Sequence, residues 1–272
     1  MKTFRDAPPA FGRKDWPTAL AVTSMGVIVL GLTSALFRGH MSLHAGMFFA
    51  TVLGNAGVAW LAMKASKLQI PYGDVSARHV GVVVAGAMAL ALSAAGLTGM
   101  MAEMIQAAAQ GTAMESFLAE MAVQREDAYE KILLLGHARY IPIVLITVAI
   151  APGVCEEFFF RGALYEYVRG FSPTARILFI GSVFAAIHFD VYGFLPLLVA
   201  GSVFTWLRYV TGGWVVPAIG HISFNAFNGV ILPRVADTDE PSRLFLGVSF
   251  LGAGLLAWVI FQWLPQRLDP DA

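Results

Sequence analysis

Eight apolar runs leave this chain few ways to fold. They lie at roughly 17–37, 43–63, 79–105, 139–160, 174–190, 193–210, 214–232 and 243–264. A bilayer core is spanned by about 20 mostly apolar residues in a helix. Charged residues make up only 13% of the chain, against about 25% in a soluble domain. The expected fold is therefore an all-α polytopic membrane protein, a bundle of about eight transmembrane helices in one integral membrane domain over 1–272. The first run lacks a small-residue cleavage site and reads as a retained anchor. Only DVYG, 190–193, separates the fifth and sixth runs, which predicts a tight helical hairpin or two helices that do not both span fully.

Net charge is +0, which suggests no nucleic-acid partner. The single cysteine, Cys155, excludes an internal disulfide framework. With the N-terminus in the cytoplasm, 12 of the 18 Lys and Arg residues fall inside. That bias predicts both termini in the cytoplasm, and the expected location is a bacterial inner membrane. Residues 1–105 read as scaffold helices, 106–138 as an extracytoplasmic amphipathic loop, 139–232 as the catalytic core and 243–264 as the last helix. In the loop, Met114, Phe117, Leu118 and Met121 recur at helical spacing, with Glu115, Glu120 and Arg125 assigned elsewhere on the wheel. A helix on the outer surface and a solvated cap on the bundle fit this equally. The ends, 1–15 and 265–272, are polar, contain prolines and are expected to be mobile. No helix carries a clean small-xxx-small dimer signature, so the oligomeric state is not read.

Ionisable side chains at membrane depth are costly and usually face a bundle interior. Here they concentrate in three runs: Glu156, Glu157 and Arg161 in the fourth, His188 in the fifth, and His221 with Asn225 in the seventh. Glu157 and Arg161 are four apart and share a helical face, so they form an ion pair. Glu156 points about 100° away and has no partner at that spacing. A division of labour follows, with Glu156 free to react and Glu157 structural. Phe184 and His188 repeat the spacing of four, as do His221 and Asn225, with Asn228 near the same stripe. Two fixed donors on one face suit the oxyanion of an acyl-transfer intermediate. Taken singly, each residue has a plainer reading as interhelical glue or an interfacial clamp. Their joint concentration within 70 residues weakens that reading.

EEFFFR (156–161), FAAIH (184–188) and HISFN (221–225) together resemble the CAAX-processing and bacteriocin-processing family of intramembrane proteases, also called the ABI family. Its pattern is EExxxR, FxxxH and HxxxN or HxxxD, in that order, on core helices of an eight-helix bundle. All three motifs match without departure. The resemblance implies a type II CAAX prenyl endopeptidase-like enzyme with its cluster on helices four, five and seven. Glu156 would activate a water, assisted by His188. His221 and Asn225 would form the oxyanion pocket, with Glu157 and Arg161 in or beside the site and Phe184 and Asn228 in support. It further implies a site opening toward the cytoplasm. The substrate would be a membrane-associated or prenylated protein or peptide.

No cofactor is expected. The alternative within the same class is a zinc protease using Glu156, His188 and His221 as ligands, although the chain has no HExxH. Alternatives of another class are a non-catalytic peptide-binding immunity protein and a proton-coupled transporter. The transporter reading lacks paired broken helices in two repeats. One geometric difficulty remains: on straight helices, His188 would lie about 20 Å deeper than Glu156 if the fourth helix stopped near Arg161. A broken helix, with Pro196 or the 191–193 turn as its cause, or a fourth helix continuing toward Arg169, would close the gap.

Overall fold

The computed structural model describes residues 16–37, 42–73, 75–134, 138–235 and 243–262. Among these residues there are nine helices and no strand. They are α1 (Trp16–Phe37), α2 (Leu43–Ser66), α3 (Ala77–Ala109), α4 (Glu115–Leu133), α5 (Ala138–Tyr167), α6 (Pro173–Ala186), α7 (Phe194–Thr211), α8 (Val215–Arg234) and α9 (Arg243–Phe261). The terminal segments 1–15 and 265–272, expected to be mobile, lie outside the described residues, as does the end of the last predicted span.

Six helices, α1, α2, α3, α5, α7 and α8, are long and apolar enough to cross a membrane. The all-α polytopic membrane fold is therefore as expected, but a count of eight full spans is not reached. α6 has 14 residues, about 21 Å at 1.5 Å per residue, against a hydrocarbon core of about 30 Å. In α9 the apolar stretch Ser249–Phe261 is shorter still. Polar caps begin three of the helices. Ser42, Ser76 and Ser172 each accept a bond from the backbone N–H three residues on, at 3.2–3.3 Å, satisfying donors that a helix start leaves orphaned.

Two large apolar cores, with a small third around Leu133, Val144 and Val230, fill the bundle among the described residues. One gathers Ala19, Val58 and Ala59 with Phe159, Phe160, Leu164, Ile180 and Phe184, from α1, α2, α5 and α6. The other gathers Val83, Ala87 and Leu90 with Phe204, Leu207, Val216, Phe224 and Phe261, from α3, α7, α8 and α9. The α6–α7 hairpin is packed backbone to backbone. A Cβ on Gly181 would collide with Ser202 Oγ and lie 3.1 Å from Leu198 O. Small residues permit this approach where lipid supplies no hydrophobic drive between helices.

Helix α5 is interrupted twice by π-helical turns, at Leu145–Ile150 and Phe158–Leu164. In the π register, Tyr165 N–H reaches back five residues to Phe160 O, and Ala151 N–H to Ile146 O. Such turns widen the ladder and free carbonyls for outside donors. Side chains of neighbouring helices take two of them: Arg208 Nε donates to Arg161 O at 3.0 Å, and Asn225 Nδ2 to Val148 O at 3.1 Å.

α5 does not stop near Arg161. It continues to Tyr167, 11 residues beyond Glu156, or about 17 Å. His188 lies 15 residues after the start of α6, about 22 Å by the same rise. The two therefore differ in depth by roughly one helical turn, and the expected 20 Å gap closes through the longer α5. Pro196 is accommodated in the first turn of α7 and causes no break.

The loop helix also needs one correction. Arg125 was assigned off the apolar stripe of α4, yet it lies four residues after Met121 and seven after Leu118 and shares their face. It is partly buried and reaches Asp190 in the α6–α7 turn, with Nε 3.1 Å from Oδ2. Phe117, placed on the stripe, is exposed.

Candidate active site

Glu157 and Arg161 meet at the seam between the two cores. Both are 0% exposed. Arg161 Nη1 donates to Glu157 Oε1 at 2.6 Å, the ion pair that their spacing predicts. His221 Nδ1 lies 2.8 Å from the same carboxylate oxygen. Arg161 is held from the other side by α7, with Nη2 donating to Gly201 O at 2.6 Å and Nε to Thr205 Oγ1 at 3.3 Å. Aromatic rings surround the guanidinium. Its central carbon is 4.9 Å from the Phe184 centroid, 5.6 Å from Phe160 and 5.7 Å from Phe204, a favourable setting for a desolvated cation. Phe204 also stacks on the His221 ring at 5.1 Å.

Gly153 brings α5 and α8 close enough for this. A Cβ there would lie 2.5 Å from Ile222 Cγ1 and 2.9 Å from its backbone nitrogen. The contact sits between the two bonds that join these helices, Glu157 to His221 on one side and Val148 to Asn225 on the other.

His188 and Asn225 form a second layer. Each is four residues beyond a member of the first, Phe184 and His221 respectively; Asn225 lies about 6 Å further along α8, and His188 lies just past the end of α6. The direction is toward α4, because Arg234 at the end of α8 donates to Leu133 O. The Phe184 ring joins the layers, 4.7 Å from His188 and 5.7 Å from His221. His188 is exposed, and its Nδ1 is 2.6 Å from Phe184 O. A carbonyl only accepts, so Nδ1 carries a proton, which leaves Nε2 as the nitrogen turned to the surroundings. Asn225 spends one amide N–H on Val148 O and has a second to offer.

The structure thus brings Glu157, Arg161, His221 and Phe184 together directly. His188 joins through ring contact, and Asn225 sits one turn above. Glu156 is half-buried, and its Oε2 has no hydrogen-bond partner. No hydrogen bond among the described residues ties it to His188 or His221. Asn228 is half-buried in the π turn Phe227–Ile231 of α8. Among the described residues, no group of three His, Cys, Asp or Glu side chains is disposed to hold a metal ion.

Sequence reasoning missed the contribution of α7. Gly201, Thr205 and Arg208 recur at i, i+4 and i+7 and line the face toward α5, so the signal was present. Arg208 and Arg176, two of the 12 Lys and Arg residues counted on the inner side, are both buried. Arg208 Nη2 donates to Glu166 Oε1 at 2.8 Å, and Arg176 Nη1 to Tyr165 Oη at 2.6 Å. The two guanidiniums lie 4.4 and 4.6 Å from the Tyr165 ring centroid.

The fold and the buried Glu–Arg–His cluster define a class, the polytopic helical membrane protein with ionisable groups gathered inside its bundle. The family model described as Rce1-like, type II CAAX prenyl endopeptidase Rce1-like, matches residues 138–227. That stretch runs from the start of α5 through the HISFN motif and contains all three motifs. It bears out the family resemblance, and the family matched is one of proteases. No curated protein and no solved structure matches the chain.

Proposed function

We propose that this protein is an intramembrane endopeptidase that hydrolyses a peptide bond of a membrane-associated or prenylated substrate with a water activated by Glu156 and His188. One observation carries the reading. Three motifs from three helices converge on the Phe184 ring, which touches both His188 and His221, while His221 is bonded to the neighbour of Glu156.

In this reading Glu156 takes a proton from water. The resulting hydroxide bonds to the scissile carbonyl carbon, and the carbonyl oxygen becomes an oxyanion. His188 Nε2 accepts a hydrogen bond from the water's other O–H, which stays intact, and so orients the water, as general-base geometry requires. The free N–H of Asn225 donates to the oxyanion. With Nδ1–H on Glu157, His221 can add a second donor from Nε2 when its ring carries both protons, Glu157 being the counter-ion. The proton on Glu156 then passes to the leaving amine as the C–N bond breaks, so water is consumed and a carboxylate and an amine are released.

The test is cleavage by purified protein in detergent. The probes are a fluorogenic farnesylated C-terminal peptide, unmodified membrane peptides and a panel of native membrane proteins. Wild type should cut at least one of these, and Glu156→Ala, His188→Ala and Asn225→Ala should abolish turnover. If the whole panel is left intact, or Glu156→Ala cuts as wild type does, the peptidase reading fails. Loss of activity to a chelator with return on adding zinc would favour the zinc protease with Glu156, His188 and His221 as ligands. Proton flux in liposomes lost in Glu156→Gln would favour a transporter. Tight binding of a peptide that is never cut would favour an immunity protein. The bilayer and a membrane-bound peptide or protein are the partners this reading requires.

A further inference from the structure

We propose that α4 is a strap that positions His188, and that Arg125, Asp190 and Tyr192 are its positioning residues. The proposal rests on the catalytic reading of His188 given above.

His188 belongs to no helix. It sits in the 187–193 turn after α6, where its N–H still donates to Ala185 O and that of Phe189 to Ala186 O, both at 3.3 Å, and beyond Phe189 the turn leaves the α6 ladder. Phe189, its neighbour, is 78% exposed and holds a left-handed φ of 51°, a conformation that non-glycine residues keep only when the surroundings enforce it. Asp190 enforces part of it locally. Its Oδ1 accepts from Tyr192 N–H at 3.1 Å and Gly193 N–H at 3.0 Å, an Asx-type turn.

The rest comes from α4. Asp190 Oδ2 receives Arg125 Nε at 3.1 Å, and Tyr192, only 2% exposed, donates its hydroxyl to Leu118 O at 2.9 Å. Leu118 and Arg125 are two turns apart on one face of α4, so the turn is gripped at two points. α4 is otherwise a polar helix with Phe117, Val123 and Tyr129 exposed; its C-terminal end is held by Leu133, packed on Val144 and Val230, and the two bonds to the turn fix its middle over the His188 layer. A general-base partner displaced by about 1 Å can lose a hundredfold in rate. The strap therefore acts on the chemistry through His188 without touching substrate.

Asp190→Asn separates the two jobs of Asp190. The amide keeps an Oδ1 to cap the turn and loses the charge that holds Arg125. In full-length protein in detergent, Arg125→Gln, Asp190→Asn and their double mutant are followed by amide hydrogen exchange over 186–193. The kinetic arm uses whichever of the farnesylated or unmodified peptides wild type cuts. Each single change should raise exchange of that turn about two- to fivefold, the upper part of the range for a partly exposed ion pair. kcat should fall by a similar factor at constant KM. The double mutant should be no worse than either single, and Arg125→Lys should recover part of the loss. Lys131→Gln, elsewhere on α4, should change neither reading.

Unchanged exchange in both single mutants overturns the strap. Raised exchange with unchanged kcat, while His188→Ala is inactive, overturns the positioning role and leaves the functional reading standing. Full activity in His188→Ala removes the functional reading itself, and the positioning role with it.

Discussion

Removing Arg161 tests the buried cluster most severely. Arg161→Met keeps length and apolar volume but leaves Glu157 as a fully buried carboxylate facing His221 alone. Four contacts disappear: the ion pair at 2.6 Å, the bonds to Gly201 O and Thr205 Oγ1, and the aromatic enclosure. Breaking one half of a buried, hydrogen-bonded pair costs about 3–5 kcal/mol, because the remaining charge is uncompensated. A neutral hydrogen bond between membrane helices is worth about 0.6 kcal/mol, so the charge dominates the expected loss. The assay is equilibrium unfolding in mixed detergent micelles. Glu157→Gln, which strands Arg161 instead, should also destabilise, and the double mutant should cost less than the sum by about 1–3 kcal/mol. If Arg161→Met costs under about 1 kcal/mol, or the two changes add without coupling, the charge pair is not what holds α5, α7 and α8 together.

Gly153→Val should push α5 from α8 at Ile222. It should cost about 1–3 kcal/mol as overpacking and reduce turnover by separating Asn225 from its partner helix; circular dichroism melts and the peptide assay check both. Thr205→Val removes one partner of Arg161 and one bond to Gly201 O, so a loss of about 1 kcal/mol is expected, with kcat little changed. Both expectations about orientation can be checked together by labelling. With both termini in the cytoplasm, a thiol-specific reagent confined to the outer face of oriented vesicles should modify a cysteine placed at Val123 on α4.

Much of this was legible in the residues, for physical reasons that differ from place to place. The helices could be read because lipid demands long apolar runs. The Glu157–Arg161 pair could be read because helical spacing alone puts the two together. The partner of His221 could not be read. Spacing along α8 links it to Asn225, whereas its bond to Glu157 depends on how closely α5 and α8 approach at Gly153. The π turns in α5 were equally hidden, since no residue type marks them, and they decide where Arg208 and Asn225 attach. Arg208 and Arg176 count toward the charge bias because a sequence does not tell a buried arginine at a helix end from a solvated one. Arg125 is different: its place on the α4 stripe follows from i+4 and i+7 spacing, and its charge concealed it.

The central claim is that two adjacent glutamates do different work, Glu156 on water and Glu157 on structure. Turnover per folded molecule in Glu156→Gln, measured beside its unfolding midpoint, tests this most directly. The predicted result is cleavage reduced by at least about a hundredfold with the midpoint of wild type, because Glu156 bonds to no other residue of the cluster. Wild-type turnover in Glu156→Gln, or an unfolding midpoint lowered as far as in Glu157→Gln, would contradict it.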